Sequence, residues 1–194
     1  MRITERLNSY ATETFSALLK IDPVSLDNTY ALLRRVYLDG HNVFVCGNGG
    51  SLTTSDHFAC DHGKGALYDT GMQFRVYPLT TGSLITAIAN DIGYEEIFSF
   101  QLSMRAKKDD ILFAISASGN SPNIIRAIEQ ARIMGMKTVA FVGFDGGKAK
   151  KIADISLHID SKNYGIVEDA HQSLMHVLAQ QLRTDFCARD NIKL

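Results

Sequence analysis

The sequence predicts an α/β protein: a three-layer, doubly wound parallel sheet of five strands flanked by helices, preceded by two helices and closed by a long one. Two observations predict it. Five short apolar runs, at 43–46, 74–77, 111–115, 138–142 and 155–159, alternate with stretches of helical periodicity, and strands that alternate with helices pair in parallel with both sheet faces covered. The runs are also followed by loops rich in glycine and serine, the punctuation expected at strand ends.

Taken in order, the first forty residues read as two helices. Ile3, Leu7, Tyr10, Ala11, Phe15, Leu18 and Leu19 recur at helical spacing, and Leu26, Tyr30, Leu33, Val36 and Tyr37 do so after the break at Asp22-Pro23. The helices between strands are expected at about 51–62, 83–90 with 95–106, 121–135 and 147–153, and the final one from about 165 to 187. The 194 residues, 45% hydrophobic and 21% charged, suffice for one core of ordinary domain size. Only Pro23, Pro78 and Pro122 occur, with no repeat or linker. The chain is therefore expected to form a single unit over 1–194, with residues 1–40 used in association between subunits.

Charge and cysteine content exclude several roles. Twenty Lys and Arg against 21 Asp and Glu leave a formal charge of -1, without the basic stripe that nucleic acid binding requires. No apolar run approaches the ~20 residues of a membrane span, and the amino-terminal segment is charged where a secretion signal is apolar. A cytoplasmic protein with no nucleic acid or membrane partner is expected. Cys46, Cys60 and Cys187 read as reduced thiols, since three cannot all pair within one chain.

In such a sheet ligands bind beyond the carboxyl ends of the strands. After the first strand comes Gly47-Asn48-Gly49-Gly50-Ser51, where glycines permit a sharp turn and the following helix offers free amides to an anion. It lacks the spacing of a dinucleotide fingerprint and the Lys of a P-loop. After the third strand comes Ser116-Ala117-Ser118-Gly119-Asn120-Ser121-Pro122, with hydroxyls and an amide clustered at a helix start. This is the better phosphate cradle. Ser121 before Pro122 also reads as an ordinary helix cap.

Together with Gly143-Phe144-Asp145-Gly146-Gly147-Lys148, these motifs resemble in order and spacing the sugar isomerase (SIS) domain, and within it the phosphoheptose isomerase branch. The resemblance spans nearly the whole chain. It implies a phosphosugar substrate, with the phosphate held by Ser116, Ser118, Asn120 and Ser121. Asn48, Gly49, Gly50 and Ser51 would lie beside the sugar, as would Asn90 and Asp91.

Two residue pairs carry candidate acid-base or metal chemistry. His57 and Asp61 stand four apart on one predicted helix, and Glu168 and His176 eight apart on another, so each pair shares a face. Two histidines and two carboxylates suit Zn²⁺ if they converge, with His171 and His62 as competitors. A second metal set, Cys46, His57, Cys60 and His62, is less regular. Lys64 and Arg75 are candidate counter-charges to a phosphate, or solvated surface groups.

The branch it resembles has a His and a Glu four apart, then a Gln and a His eight apart. His57 and His176 match these, while Asp61 falls at the glutamate position and Glu168 at the glutamine position. The resemblance implies a bound Zn²⁺ on His57, Asp61, Glu168 and His176, and Asp61 and His176 as base and acid. It further implies substrate contact by Glu168, and a homotetramer whose active sites take residues from neighbouring subunits. The expected reaction is aldose-ketose isomerisation of sedoheptulose 7-phosphate to a manno-heptose 7-phosphate. The alternative is a non-catalytic relative that binds phosphosugar and acts through protein partners, for which the shortened Asp61 is the best support.

Overall fold

The computed structural model describes residues 1–190, with side chains through 187; the last four residues of the unit expected over 1–194 lie outside the described residues. Helices α1 (Ile3–Leu18) and α2 (Pro23–Leu38) lead into strand β1 (Asn42–Gly47). The start of α2 is fixed by Pro23 in its first turn and by Asp22, whose carboxylate accepts from the Ser25 amide at 2.9 Å. Next come α3 (Gly50–Ala59), a π-helical turn (Cys60–Gly65), α4 (Ala66–Thr70), β2 (Arg75–Pro78) and α5 (Gly82–Asp91). A 3₁₀ turn (Tyr94–Glu96), α6 (Ser99–Arg105), β3 (Ile111–Ser116), α7 (Pro122–Ile133) and β4 (Lys137–Val142) follow, then α8 (Gly147–Ile152), β5 (Ile155–His158) and α9 (Tyr164–Asp190).

All five strands are parallel, in the order β2-β1-β3-β4-β5. Successive side chains of a strand point to opposite faces, and both faces are packed. Val43, Val45, Ile111, Phe113, Ile115 and Phe141 join residues of α2, α3 and α9 in one core, whereas Phe44, Cys46, Leu112, Ala114, Ala140 and Val142 join α5, α6 and α7 in the other. The sheet is thus the middle of three layers, as the sequence predicts. Among the described residues no helix is long and apolar enough to cross a membrane.

The chain leaves β1 for one side of the sheet, at β2, and returns at β3 on the other. This order reversal opens a crevice at the carboxyl ends of β1 and β3. Gly47 pairs with Ile115 across it, so the glycine loop and the serine loop begin side by side.

Two helices depart from expectation. The helix expected over 51–62 does not stop there: α3 widens into the π-helical turn and continues as α4 until Gly71, whose φ of 70° ends it. Glycines at positions 63 and 65 permit the widening, and the Arg183 guanidinium fills the space where a side chain on Gly65 would lie. The stretch expected as one helix over 95–106 breaks before Ser99. Ile97 and Phe98, both fully buried, lie at the break.

Candidate functional site

The crevice holds a small polar cavity of about 130 Å³. A cavity of that size accommodates a phosphoryl group. Ser116, Ser118 and Ser121 line one wall, Asn48 and Ser51 another, and Tyr164 and Glu168 of α9 close it. Ser121 makes no capping bond to α7, so the structural use anticipated for its hydroxyl is not taken up. The cavity meets α7 at its amino end, where the free amides and the helix dipole favour an anion.

Backbone geometry shapes both loops. A Cβ on Gly47 would stand 2.5 Å from the Ser51 carbonyl oxygen, and Gly49 has φ 57°, so the glycine loop needs residues without side chains. Asn48 is locked to Asn123 of α7 by reciprocal amide bonds of 2.8 and 2.9 Å, which tie the glycine loop to the helix behind the serine loop. Ser116 Oγ accepts from the Gly119 amide at 3.2 Å, and Ser118 Oγ from the Asn120 amide at 3.3 Å. The 143–148 turn buttresses the serine loop, with the Gly143 amide donating to Ala117 O and the Ala149 amide to Gly119 O.

Other residues expected at the substrate lie differently. Asn120 is used structurally, its Oδ1 accepting from the Lys148 amide at 3.0 Å, and it does not line the cavity. Gly49 and Gly50 shape the loop; Gly50 carries no side chain where the Glu168 carboxylate packs, 3.0 Å from its would-be Cβ. Asn90 and Asp91 sit at the end of α5, exposed and bonded to each other at 2.8 Å.

A second cluster lies farther along α3 and α9. Asp61, on the π-helical turn, has Oδ2 2.9 Å from His176 Nδ1 and Oδ1 3.5 Å from His57 Nε2. One donor atom from each of these three residues falls within 4.8 Å of the others. The turn is held by Arg183, whose Nη2 donates to Asp61 O at 3.2 Å while its Nε lies 3.1 Å from Asp69. Gln172 sits between the two imidazoles, with Nε2 2.6 Å from His57 Nδ1 and 3.3 Å from His176 Nε2.

Glu168, expected as a fourth ligand, does not join this cluster within one chain. Eight helical residues amount to ~12 Å of rise, so Glu168 and His176 share a face of α9 without sharing a site. The second expected metal set does not converge either. Cys46 is buried in the opposite core layer, Cys60 is exposed, and His62 is buried between Tyr37 and Met175 O. Lys64 reaches over the Tyr68 ring and Arg75 donates to Gly40 O, so neither lines the cavity. Gln172, Arg183, Tyr164 and Asn123 were not singled out by the sequence. Gln172 had a signal, its four-residue spacing from His176, but an amide carries no charge to draw notice.

His171 and His62 take no part in the cluster's contacts. His171 is fully buried against Phe141, and desolvation pushes it down to about 4, only partly offset by the Val142 backbone. His62, stacked on Phe58, is pushed down to about 3 by burial. Both stay neutral in the folded protein, while the unfolded chain takes up protons from about pH 6.5 downward. The stability their neutrality permits is therefore whole above pH 6.5 and is lost as pH falls toward 4. His171 alone accounts for a loss on the order of 3 kcal/mol. Urea unfolding between pH 4 and 7 should show this slope, and His171→Phe should flatten it; an unchanged slope in that variant would contradict the assignment.

Comparisons with known proteins agree with this geometry. The family model described as "SIS domain" matches residues 8–143. A phosphoheptose isomerase of Helicobacter pylori strain P12 is 38% identical over 149 residues, covering 76% of this chain and 77% of the relative. One from Aliarcobacter butzleri strain RM4018 is 33% identical over 169 residues, covering 87% and 89%. The solved phosphoheptose isomerase of Neisseria gonorrhoeae superposes with a TM-score of 0.85 at 29% identity, covering 94% of this chain and all of that one. With the switch-point cavity, the serine loop and these likenesses together, the chain belongs to the SIS domain family, in its phosphoheptose isomerase branch.

Proposed function

We propose that the protein is a phosphosugar isomerase that interconverts sedoheptulose 7-phosphate and D-glycero-D-manno-heptose 7-phosphate. The observation that carries the chemistry is the 2.9 Å contact between Asp61 and His176, a carboxylate and an imidazole paired as proton carriers near neutral pH. The serine cavity anchors the phosphate. At the other end of the sugar, Asp61 takes the proton from C1, giving an enediol, and His176 moves the hydroxyl proton from O1 to O2. Return of a proton to C2 completes the aldose, so that one C–H and one O–H bond break and one of each forms.

His57, Asp61 and His176 offer two imidazole nitrogens and a carboxylate oxygen in close convergence, a donor set that suits Zn²⁺ and leaves a coordination position open. When bound there, the ion would polarise the substrate's oxygens.

In a single chain the cavity and the cluster are separated along both helices that bear them. This separation, with the stripe of Ile3, Leu7 and Phe15 on α1 and Leu19 just after it exposed at 63–81%, supports a homotetramer in which one subunit's cluster completes another's cavity. A partner subunit could then bring its own Glu168 toward the cluster. Purified protein should convert sedoheptulose 7-phosphate to the aldose, followed by ¹H NMR with and without added Zn²⁺. Absence of turnover under both conditions would overturn the reading.

A further inference from the structure

We infer that Gln172 is a positioning residue that sets which ring nitrogen of His57 carries the proton, and that its amide turns over when a cation binds on the Asp61 side of the His57 and His176 rings. The inference rests on the reading of His57, Asp61 and His176 as one cluster and adds a fourth member to it. Each imidazole has one nitrogen toward Asp61 and the other toward Gln172. His176 Nδ1 and His57 Nε2 lie 2.9 and 3.5 Å from the carboxylate, and His176 Nε2 and His57 Nδ1 lie 3.3 and 2.6 Å from the amide nitrogen.

A carboxylate only accepts, so His176 carries its proton on Nδ1 and presents a bare Nε2 to Gln172. The facing amide group must then donate. An NH₂ has two hydrogens, enough for His176 Nε2 and for His57 Nδ1, and the short contact to His57 places that ring's proton on Nε2. Without a cation, Asp61 accepts on one side and Gln172 donates on the other, and each of the four ring nitrogens faces a matching group.

A cation on the Asp61 side reverses these needs. His57 Nε2 and His176 Nδ1 would hold it through their lone pairs, and a ligating neutral imidazole carries its proton on the other nitrogen. Both N–H groups then point at Gln172, which must accept. Its Oε1 has two lone pairs, and a half-turn of the amide exchanges donor for acceptor with no movement of α9. A carboxylate would serve only the second state and an alkyl chain neither.

Two variants of the full-length protein separate these roles, Gln172→Met, which can neither donate nor accept, and Gln172→Glu, which accepts only. Zn²⁺ titration by calorimetry should show affinity weakened about 10- to 100-fold in Gln172→Met, and within a few-fold of wild type or tighter in Gln172→Glu. In the metal-free protein, ¹⁵N NMR of the imidazoles should show His57 protonated on Nε2 in wild type, as a mixture of tautomers in Gln172→Met, and shifted toward Nδ1 protonation in Gln172→Glu. A His57 tautomer unaltered across all three proteins, or unchanged Zn²⁺ affinity in a folded Gln172→Met, would overturn the inference. A wild type that takes up no Zn²⁺ would instead refute the metal set proposed above, and the tautomer measurement would still decide the role of Gln172.

Discussion

Replacing His176 with Gln is expected to lower kcat by about 10²- to 10⁴-fold, the range that a positioned acid-base group supplies, while phosphosugar binding changes much less. The glutamine amide can still donate to Asp61 and fill a similar volume, so the pairing that holds the π-helical turn against α9 survives. It cannot gain and release a proton near neutral pH. Binding is retained because the phosphate is gripped elsewhere: Ser116, Ser118 and Ser121 line a cavity closed by Glu168, and Glu168 stands ~12 Å of helical rise from His176 along α9. The result should thus appear in kcat/KM through kcat, the signature of an interaction made chiefly in the transition state. Turnover by NMR and sugar-phosphate binding by calorimetry, on the same preparation, separate the two. Turnover within tenfold of wild type would remove His176 from the proton path, and loss of binding with turnover would make it a substrate-holding group instead.

The split between what the sequence revealed and what it hid follows physical lines. The strands were legible because β1, β3 and β4 are buried on both faces and so read as unbroken apolar runs. The serine and glycine loops were legible because their geometry excludes most residue types. Helix faces were legible too, but a face is a direction and not a place. Glu168 and His176 satisfy the same periodicity while lying two turns apart, and only the rise along α9 assigns one to the cavity and the other to the cluster. The π-helical turn under Asp61 left no periodic trace, because six residues are too few to shift a hydrophobic pattern. Asn120 looked like a phosphate contact from its neighbours, yet its amide donates to Ser118 O and accepts from the Lys148 backbone amide. Gln172 depends on His57, 115 residues away in the chain, a contact that local pattern cannot encode.

Gly119→Ala is expected to disable phosphate binding with a stability loss of a few kcal/mol, the larger structural effect because two backbones meet at this residue. Gly119 has φ 65°, a region costing a residue with a Cβ roughly 1–2 kcal/mol. The added methyl would also overlap Gly146 O and stand 2.7 Å from Gly146 C, and backbone atoms, unlike a side chain, cannot rotate aside. Relief requires the serine loop and the 143–148 turn to separate. That movement stretches the bond from the Ala149 amide to Gly119 O, 2.9 Å in the native loop, and the one from the Gly119 amide to Ser116 Oγ. The hydroxyls of Ser116 and Ser118 then lose the common centre they share in the cavity. Since tenfold in affinity is about 1.4 kcal/mol, loss of even one or two aligned donors should raise KM for the phosphosugar at least tenfold. Gly82→Ala is the matched control, for a Cβ there meets nothing within 4 Å and its φ is not positive. It should leave both KM and the unfolding midpoint near wild type. A Gly119→Ala protein with unchanged KM would mean that the phosphate does not sit in the serine loop.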